Sequence, residues 1–298
     1  MKKILIIGGT GFIGNYLVRF LGLKKNFNID IIGNCNKNLF LDINQDNIRI
    51  LKKIDITDKN SITSINSEYD YIIFCAGYVD HSSILNKRNN TIHEHYLGLI
   101  NILKSISINK LKRIVYFGTL DEYSSTNNLK ENNQLLISSY YSLSKNNSLQ
   151  FLKLFSNIEK IPFTYFRLSL TYGYGQKINR LIPKIFFYSS KNQELEIKNP
   201  YLCRDFLHIN DLVSIVYKTM INKETKNNVY DLGSNERIFI CNLVNKIRSF
   251  FDLKPILFKN DKHQFHISKP NNLFKQINYY PRVNLDKGLK DYFEKTFN

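Results

Sequence analysis

A glycine-rich segment directly after a short apolar run constrains the fold of this 298-residue chain more than any other feature. The run covers Lys2–Ile7, and the segment reads Gly8-Gly9-Thr10-Gly11-Phe12-Ile13-Gly14. Apolar residues then continue at helical spacing as far as Leu21. A buried strand, a tight glycine turn and a helix in this order bring backbone N–H groups and the helix N-terminus close to an anion such as a pyrophosphate. The pattern predicts a dinucleotide-binding turn formed by the whole segment.

Composition narrows the class of protein. The chain is long enough for one large domain or two interleaved domains. It has no stretch of about 18 apolar residues, so no membrane-spanning helix is predicted. Its first residues lack the cleavage pattern of a secretory signal. Its four cysteines are scattered without a CxxC spacing, which predicts neither a metal site nor a disulfide framework. We therefore expect a cytoplasmic protein without a membrane partner.

The formal charge of +17 makes a nucleic-acid partner worth considering. The 42 lysines and arginines are, however, spread along the chain, without a run of five or more. Because a nucleic-acid site is expected to cluster its charge, we predict no nucleic-acid partner. We interpret the basic surface as suited to an anionic nucleotide ligand.

Short apolar runs alternate with helical patterns along the first half of the chain. The runs cover 2–7, 28–32, 48–54, 71–75 and 113–117, with a further one at 163–169. The clearest helical patterns lie at 11–23, 92–108 and 139–156. This alternation predicts an α/β fold of the Rossmann type with a doubly wound parallel sheet. Prolines interrupt the pattern beyond residue 170. We predict a dinucleotide-binding domain at 1–165 and a smaller C-terminal α/β substrate-binding lobe at 166–298, interleaved with it.

Two further elements carry candidate catalytic residues. Tyr141 and Lys145 lie four residues apart on the predicted 139–156 helix, which places them one turn apart on one face. A nearby ammonium group favours the phenolate, so we expect Lys145 to lower the pKa of Tyr141 from its usual value of about 10. The 113–117 strand leads into Thr119, and strand carboxyl ends hold ligands in open α/β sheets. Together these groups can exchange a proton with a substrate oxygen. Taken singly, each motif also fits an exposed helical pair or an ordinary strand-end turn.

Five motifs in combination resemble the extended short-chain dehydrogenase/reductase family: the glycine segment, Asp55-Ile56, Cys75-Ala76-Gly77, Thr119 and the Tyr141–Lys145 pair. Two later segments narrow the resemblance to its nucleotide-sugar epimerases and 4-ketoreductases. They read RLSLTYGYGQ at 167–176 and RDFLHIND at 204–211. The resemblance runs along nearly the whole chain in the family's order.

The resemblance implies a role for each matching residue. Thr119, Tyr141 and Lys145 would form the catalytic set, and the last two would also contact a nicotinamide dinucleotide. The other implied positions are Asp55 and Ile56 beside the adenine, the backbone of Cys75, Ala76 and Gly77 along ribose and phosphates, and Arg204 on the diphosphate of a nucleotide sugar, with Arg180 as a second candidate. Arginine presents a fork of donors that suits phosphate oxygens. An ion pair of Arg204 with Asp205 or Asp211 is the structural alternative. We also expect a homodimer.

The end of the predicted second strand departs from the family pattern. NAD users commonly carry an acid there, which binds the ribose hydroxyls. This chain has Gly33, followed by Asn34 and Lys37, which could bind a 2′-phosphate. We therefore expect NADP(H), although Lys37 also fits a solvated loop.

Three further positions are informative. Leu120 stands where the family's dehydratases carry an acid after the threonine, so 4,6-dehydration is not expected. His95 replaces the asparagine of an N-x-x-G pattern, and we interpret it as a buried structural residue rather than a catalytic one. His81 follows the Ala76-Gly77 turn and could reach the sugar or lie in an ordinary loop.

These expectations favour an NADPH-dependent reductase of the C4 keto group in a nucleotide-linked 4-keto-6-deoxy sugar, within surface polysaccharide sugar biosynthesis. The first alternative is a nucleotide-sugar 4-epimerase with tightly bound NAD and the same catalytic residues. A more remote alternative is a non-catalytic, dinucleotide-sensing protein on the same fold.

Overall fold

The computed structural model describes residues 1–24, 26–33, 46–51, 54–62, 65, 68–86, 89–123, 135–259, 263–268 and 271–297. Within these ranges the strands are β1 (Lys2–Ile7), β2 (Phe27–Ile32), β3 (Ile48–Leu51), β4 (Tyr71–Phe74), β5 (Arg113–Thr119), β6 (Phe163–Leu168), β7 (Leu170–Tyr172), β8 (Leu202–His208), β9 (Asn228–Leu232), β10 (Arg237–Phe239) and β11 (Gln264–His266). The helices are α1 (Phe12–Gly22), α2 (Lys59–Ile62), α3 (Gly98–Ser105), α4 (Tyr140–Glu159), α5 (Leu181–Ser190), α6 (Ile209–Ile221), α7 (Ile240–Ser249), α8 (Leu273–Gln276) and α9 (Leu285–Phe297). A π-helical turn at His93–Leu97 precedes α3, and 3₁₀ turns lie at Leu120–Glu122 and Lys223–Thr225.

Seven strands of the described residues form one sheet in the order β3-β2-β1-β4-β5-β6-β9. Every pairing in it is parallel. The strand order reverses between β1 and β4, where the ends Ile7 and Phe74 lie side by side. Ligands of such sheets bind outside the strand carboxyl ends at this reversal. The predicted doubly wound sheet of the Rossmann type is confirmed, and its geometry places the glycine segment at the ligand-binding edge.

Both faces of the sheet are buried, as expected for a parallel sheet. Ile4 and Ile6 pack into one apolar core with α1 and α6, whereas Leu5 and Ile7 pack into the other with α3 and α4. This division follows from the period of two along a strand. Of the helices in the described ranges, none combines the length and the apolar composition that a bilayer crossing requires.

A second, smaller sheet lies in the C-terminal half. In it β8 pairs antiparallel with β10 and parallel with β7 and β11. A third core between this sheet and α5, α7 and α9 contains stacked rings such as Phe186 and Tyr292, whose centroids lie 4.8 Å apart. From the same half, β9 joins the main sheet beside β6. The division at residues 165 and 166 falls inside β6 and stays a prediction.

Element boundaries differ from the sequence-based expectations at two informative places. The helix expected at 92–108 begins as the π-helical turn at His93–Leu97 and ends at Ser105. The strand expected at 113–117 continues to Thr119, because parallel pairing with β6 extends to Leu168. Thr119 is therefore the last residue of β5 rather than part of a loop.

Candidate active site

The glycine segment forms a turn that leaves no room for side chains. Gly8 has a φ of +80°, and a Cβ there would lie 2.7 Å from the backbone of Ala76. A Cβ on Gly14 would lie 2.1 Å from the carbonyl oxygen of Gly8. Gly11 is the N-cap of α1 without a capping side chain, and the first turn, which begins with Phe12 and Ile13, has no acidic residue. An uncapped helix N-terminus behind a glycine turn fits a dinucleotide pyrophosphate.

The other predicted cofactor residues flank this turn. The hydroxyl of Thr10 packs against Gly33, where a Cβ would lie 2.4 Å from it. Asn34 and Lys37 lie outside the described residues. Ile56 is buried, and its carbonyl accepts a 3.0 Å hydrogen bond from Asn101.

Asp55 is exposed, and its carboxylate caps its own turn. It accepts hydrogen bonds from the backbone N–H and the hydroxyl of Thr57, both at 2.8 Å. Both predicted adenine contacts thus follow β3, but only Ile56 offers a buried apolar surface. The backbone of Cys75, Ala76 and Gly77 follows β4 and faces the glycine turn through the contact of Ala76 with Gly8.

The structure brings the predicted catalytic residues together. Thr119 ends β5, and its side chain is near enough to the phenol of Tyr141, in the first turn of α4, to lower the pKa of that phenol. The ammonium nitrogen of Lys145 lies 5.1 Å from the ring centroid of Tyr116 and 5.9 Å from that of Tyr141. Thr119, Tyr141 and Lys145 are all at most 7 % exposed. A capping box between Ser139 and Ser142 begins α4 and fixes its first turn.

The ionisation of Tyr141 differs from the sequence-based expectation. The pKa of Tyr141 is raised, not lowered, because burial and the nearby carboxylate of Asp121 disfavour the phenolate. The side chains of Thr119 and Arg180 lower the pKa of Tyr141, but their effect is smaller than that of burial and Asp121. Tyr141 is therefore a protonated phenol at neutral pH and is equipped to donate a proton.

Burial raises the pKa of Tyr141 but lowers the pKa of the neighbouring Lys145. Desolvation lowers the pKa of Lys145 to about 7, although Glu122, Cys75 and Glu94 raise it. The same burial raises the pKa of Cys75 to about 12, so its thiol stays protonated.

Two histidines flank the ring of Tyr141. The ring of His81 is exposed and meets it edge-on at 5.3 Å, and that of His95 is fully buried and meets it at 5.5 Å. His95 Nδ1 lies 2.8 Å from the hydroxyl of Ser144, whereas its Nε2 has no hydrogen-bond partner among the described residues. This Nε2 faces Gly77, where a Cβ would lie 1.9 Å from it. Burial and the charge of Lys145 hold the pKa of His95 well below 6.5. The neutral ring therefore lies beside the backbone of Gly77.

Arg204 projects from β8 at the other end of the site. One of its terminal nitrogens lies 2.5 Å from Nδ1 of His266, and Nε2 of His266 lies 2.7 Å from the carbonyl oxygen of Leu120. A carbonyl only accepts, so Nε2 carries the hydrogen and Nδ1 accepts from Arg204. Asp121 lies 4.0 Å from Arg204, whereas Asp205 accepts from Ser268. His266 thus joins Arg204 to the strand end that carries Thr119.

A cavity of about 330 Å³ extends from Arg204 into the C-terminal half. It is lined by residues of β7, β8, α5, α7 and the segment between α5 and β8: Leu170, Leu181, Lys184, Leu195, Glu196, Ile197, Lys198, Asn199, Leu202, Arg204 and Ile240. Arg180 is the N-cap of α5 and its charge reaches Tyr141. Arg180 and His81 thus lie near Tyr141, whereas Arg204 lines the cavity and is placed by His266.

Comparison with known proteins agrees with this geometry. The model of the NAD dependent epimerase/dehydratase family matches residues 4–233. The chain belongs to that family. The match begins in β1 and ends just after β9, and thus takes in the glycine segment and Thr119, Tyr141 and Lys145.

Curated members of the epimerase/dehydratase family are similar at the sequence level. A dTDP-D-glucose 4,6-dehydratase of Dictyostelium discoideum is 30 % identical over 278 residues, which cover 83 % of this chain and 62 % of that protein. A GDP-6-deoxy-D-talose 4-dehydrogenase of Aggregatibacter actinomycetemcomitans is 28 % identical over 289 residues, which cover 94 % of this chain and 87 % of that protein. The chain thus spans less than two thirds of the first relative and most of the second.

Solved structures of family members share the fold. The UDP-glucose 4-epimerase of Thermotoga maritima with UDP-glucose superposes with a TM-score of 0.82 at 20 % identity, covering 99 % of this chain and 100 % of that one. The Bordetella bronchiseptica enzyme WbmF with NAD⁺ and UDP superposes with a TM-score of 0.80 at 21 % identity, covering 99 % of this chain and 92 % of that one.

Sequence reasoning missed Glu122 and His266 as members of the site. Glu122 stands three residues after Thr119, an interval typical of a capping box, which could have drawn attention to it. No sequence signal pointed to His266, because β11 meets β8 only in the folded chain.

Proposed function

We propose that the protein is an NADPH-dependent reductase of the C4 keto group of a nucleotide-linked 4-keto-6-deoxy sugar. The observation that supports this most is Tyr141, a buried phenol that stays protonated beside Thr119 at the carboxyl end of β5. A nicotinamide ring, when bound, supplies the hydride that reduces the carbonyl carbon. Tyr141 donates a proton to the carbonyl oxygen, Thr119 orients that oxygen, and Lys145 binds the ribose hydroxyls. Typical general acid catalysis of this kind contributes about 10²–10⁴-fold.

The substrate class is supported by the cationic end of the site and by one relative. Arg204 is held in place by His266, and with Arg180 it suits the diphosphate of a nucleotide sugar. The Aggregatibacter relative is a 4-dehydrogenase of a GDP-linked 6-deoxy sugar, which is the same redox change at C4. We place the product in surface polysaccharide sugar biosynthesis.

Dehydration is disfavoured by the residue after Thr119. Leu120 is 1 % exposed, cannot supply a proton, and uses its carbonyl to hold His266. The Dictyostelium relative is a 4,6-dehydratase. Because of the apolar residue at position 120, we expect this chain to reduce a 4-keto sugar rather than to catalyse the dehydration named for that relative.

A nucleotide-sugar 4-epimerase with tightly bound NAD is the second candidate. The resemblance in fold to the Thermotoga epimerase favours it, because an epimerase uses the same proton-transfer residues in both directions. The two reactions differ in the fate of the cofactor.

We expect stoichiometric oxidation of NADPH with a 4-keto nucleotide sugar, since a reductase releases oxidised cofactor after each turnover. The measurement follows NADPH absorbance with a panel of nucleotide 4-keto-6-deoxy sugars, together with product analysis. In the matched reaction, an unoxidised nucleotide sugar is added to enzyme without NADPH. Inversion at C4 over many turnovers in that reaction would replace the reductase by the epimerase.

We expect NADPH to bind more tightly than NADH. The reason is the missing acid at Gly33 and the neighbouring Asn34 and Lys37, which would make charge-assisted hydrogen bonds to a 2′-phosphate. Calorimetric titration of both cofactors measures the preference. Lys37→Ala should weaken the binding of NADPH and leave the binding of NADH unchanged. Tighter binding of NADH would contradict this assignment and favour the epimerase.

We also propose a homodimer through the outer face of α3 and α4. Leu154 and Ile158 of α4 are 58 % and 62 % exposed, and Leu97 lies just before α3 at 38 %. Tyr96, in the π-helical turn before α3, packs edge-on at 6.3 Å against Phe151 of α4. Light scattering should give twice the chain mass, and Leu154→Glu with Ile158→Glu should give monomers; a monomeric parent protein would refute the proposal.

A further inference from the structure

Glu122 is a fully buried carboxylate three residues after Thr119. Its Oε1 accepts a hydrogen bond from the backbone N–H of Thr119 at 3.2 Å and one from the hydroxyl of Tyr165 at 2.7 Å. Its Oε2 accepts from Nε of Arg167 at 2.9 Å. The carboxylate therefore fixes the backbone of Thr119, whose side chain acts on the phenol of Tyr141.

Tyr165 extends this arrangement to the helix that carries Lys145. The Tyr165 hydroxyl oxygen lies 3.0 Å from the carbonyl oxygen of Lys145 as well as 2.7 Å from Glu122. It reaches this position by passing over Gly118, where a Cβ would lie 2.2 Å from it. The hydroxyl carries a single hydrogen, which goes to Glu122 at the shorter distance, and the same oxygen packs against the turn of α4 that presents Lys145.

The charge of Glu122 also acts on Lys145. Among the groups that raise the pKa of Lys145, Glu122 is the largest, followed by Cys75 and Glu94. Three other titratable groups face the ammonium group: His95, Tyr116 and Tyr141. On its other side, the Glu122 carboxylate faces Arg167, which also binds Tyr123 and lies 3.8 Å from Asp231.

A buried ion pair contributes little net stability compared with apolar residues of similar volume. The contacts of Glu122 instead connect two of the groups that the reaction needs. We propose that Glu122 is a positioning residue, whose carboxylate holds Thr119 and the Lys145 turn in one geometry and balances the positive charge of Lys145. The turnover part of this inference rests on the proposed function, whereas the titration part does not.

The test compares three variants of the full chain. Glu122→Gln removes the charge, and Tyr165→Phe removes the hydroxyl link while both charges of the ion pair remain. Asp30→Asn is the matched control, because Asp30 is also a buried carboxylate bound to an arginine and a tyrosine, Arg49 and Tyr69, but lies in β2. All three variants lose a hydrogen bond or a charge of a buried side chain.

The first readout is the titration of Lys145, followed by NMR of lysine-labelled protein and assigned by the signal missing from Lys145→Met. We expect Glu122→Gln to move the midpoint about one unit toward lower pH, since the anion that favours the ammonium form is lost. Asp30→Asn and Tyr165→Phe should leave it within a few tenths of a unit. An unchanged midpoint in Glu122→Gln would overturn the role in charge balance.

The second readout is turnover of the 4-keto sugar. We expect Tyr165→Phe to lower kcat about five- to tenfold at nearly constant KM, as for loss of one hydrogen bond that orders the reacting groups. Wild-type kcat in Tyr165→Phe would overturn the role in holding Thr119 and Lys145. If Glu122→Gln does not fold, the double variant Glu122→Gln/Arg167→Met, which removes both charges of this ion pair, replaces it in the titration. If the parent protein turns over no 4-keto sugar, the proposed function fails, and the titration alone decides the role of Glu122.

Discussion

Tyr141→Phe should lower turnover by about 10²–10⁴-fold while leaving cofactor binding nearly unchanged. The variant removes the proton donor but keeps the ring that packs between His81 and His95. Burial keeps this phenol protonated throughout the neutral pH range. A change of pH within that range therefore does not restore the turnover that the variant loses. Turnover and cofactor affinity are measured on the same preparation, by absorbance and by fluorescence titration.

The adjacent residue supplies the control for this prediction. Tyr140 also lies in the first turn of α4 but is 39 % exposed. Tyr140→Phe should therefore keep both turnover and cofactor affinity. Wild-type turnover in Tyr141→Phe, or an equal loss in both variants, would show that Tyr141 is not the proton donor.

The parts of the site that follow from local chain geometry could be predicted from the sequence. Gly8 marks the turn through its positive φ and Gly14 through the nearby backbone of Gly8, and both requirements are local to the segment. Tyr141 and Lys145 share a face because the helical repeat puts residues four apart together. Thr119 follows an apolar run, and the run proved to be a strand that ends at this residue.

The ionisation of the site could not be predicted in this way. The spacing alone suggested that Lys145 lowers the pKa of Tyr141, whereas burial and Asp121 raise it. Burial depends on how α4 packs onto the sheet, and that packing involves side chains far apart in the sequence. His266 is 146 residues from Leu120, and its hydrogen bond to that carbonyl exists only in the folded chain.

Lys145→Met should abolish turnover and at the same time stabilise the fold. Burial lowers the pKa of Lys145 from 10.5 to about 7, so the unfolded chain holds a proton that the folded chain largely lacks between these values. The cost in stability is complete below pH 7, where the lysine is protonated in both states. It disappears as the pH rises toward 10.5, the pKa of this lysine in the unfolded chain. At pH 7 the loss is about 4 kcal/mol. Methionine has a similar length and no charge, so it avoids this cost.

The stability difference is measured by chemical denaturation of cofactor-free protein at pH 7 and pH 10. Lys145→Met should exceed the parent protein in free energy of unfolding at pH 7, and the gap should narrow at pH 10. Lys153→Met is the matched control, since Lys153 is exposed on the same helix and surface substitutions change stability by about 0.5 kcal/mol or less. A less stable Lys145→Met at pH 7, or a gap that does not depend on pH, would contradict the burial of a charge at this position. The expected outcome means that the chain sacrifices stability to keep an ammonium group beside Tyr141, as active sites commonly do.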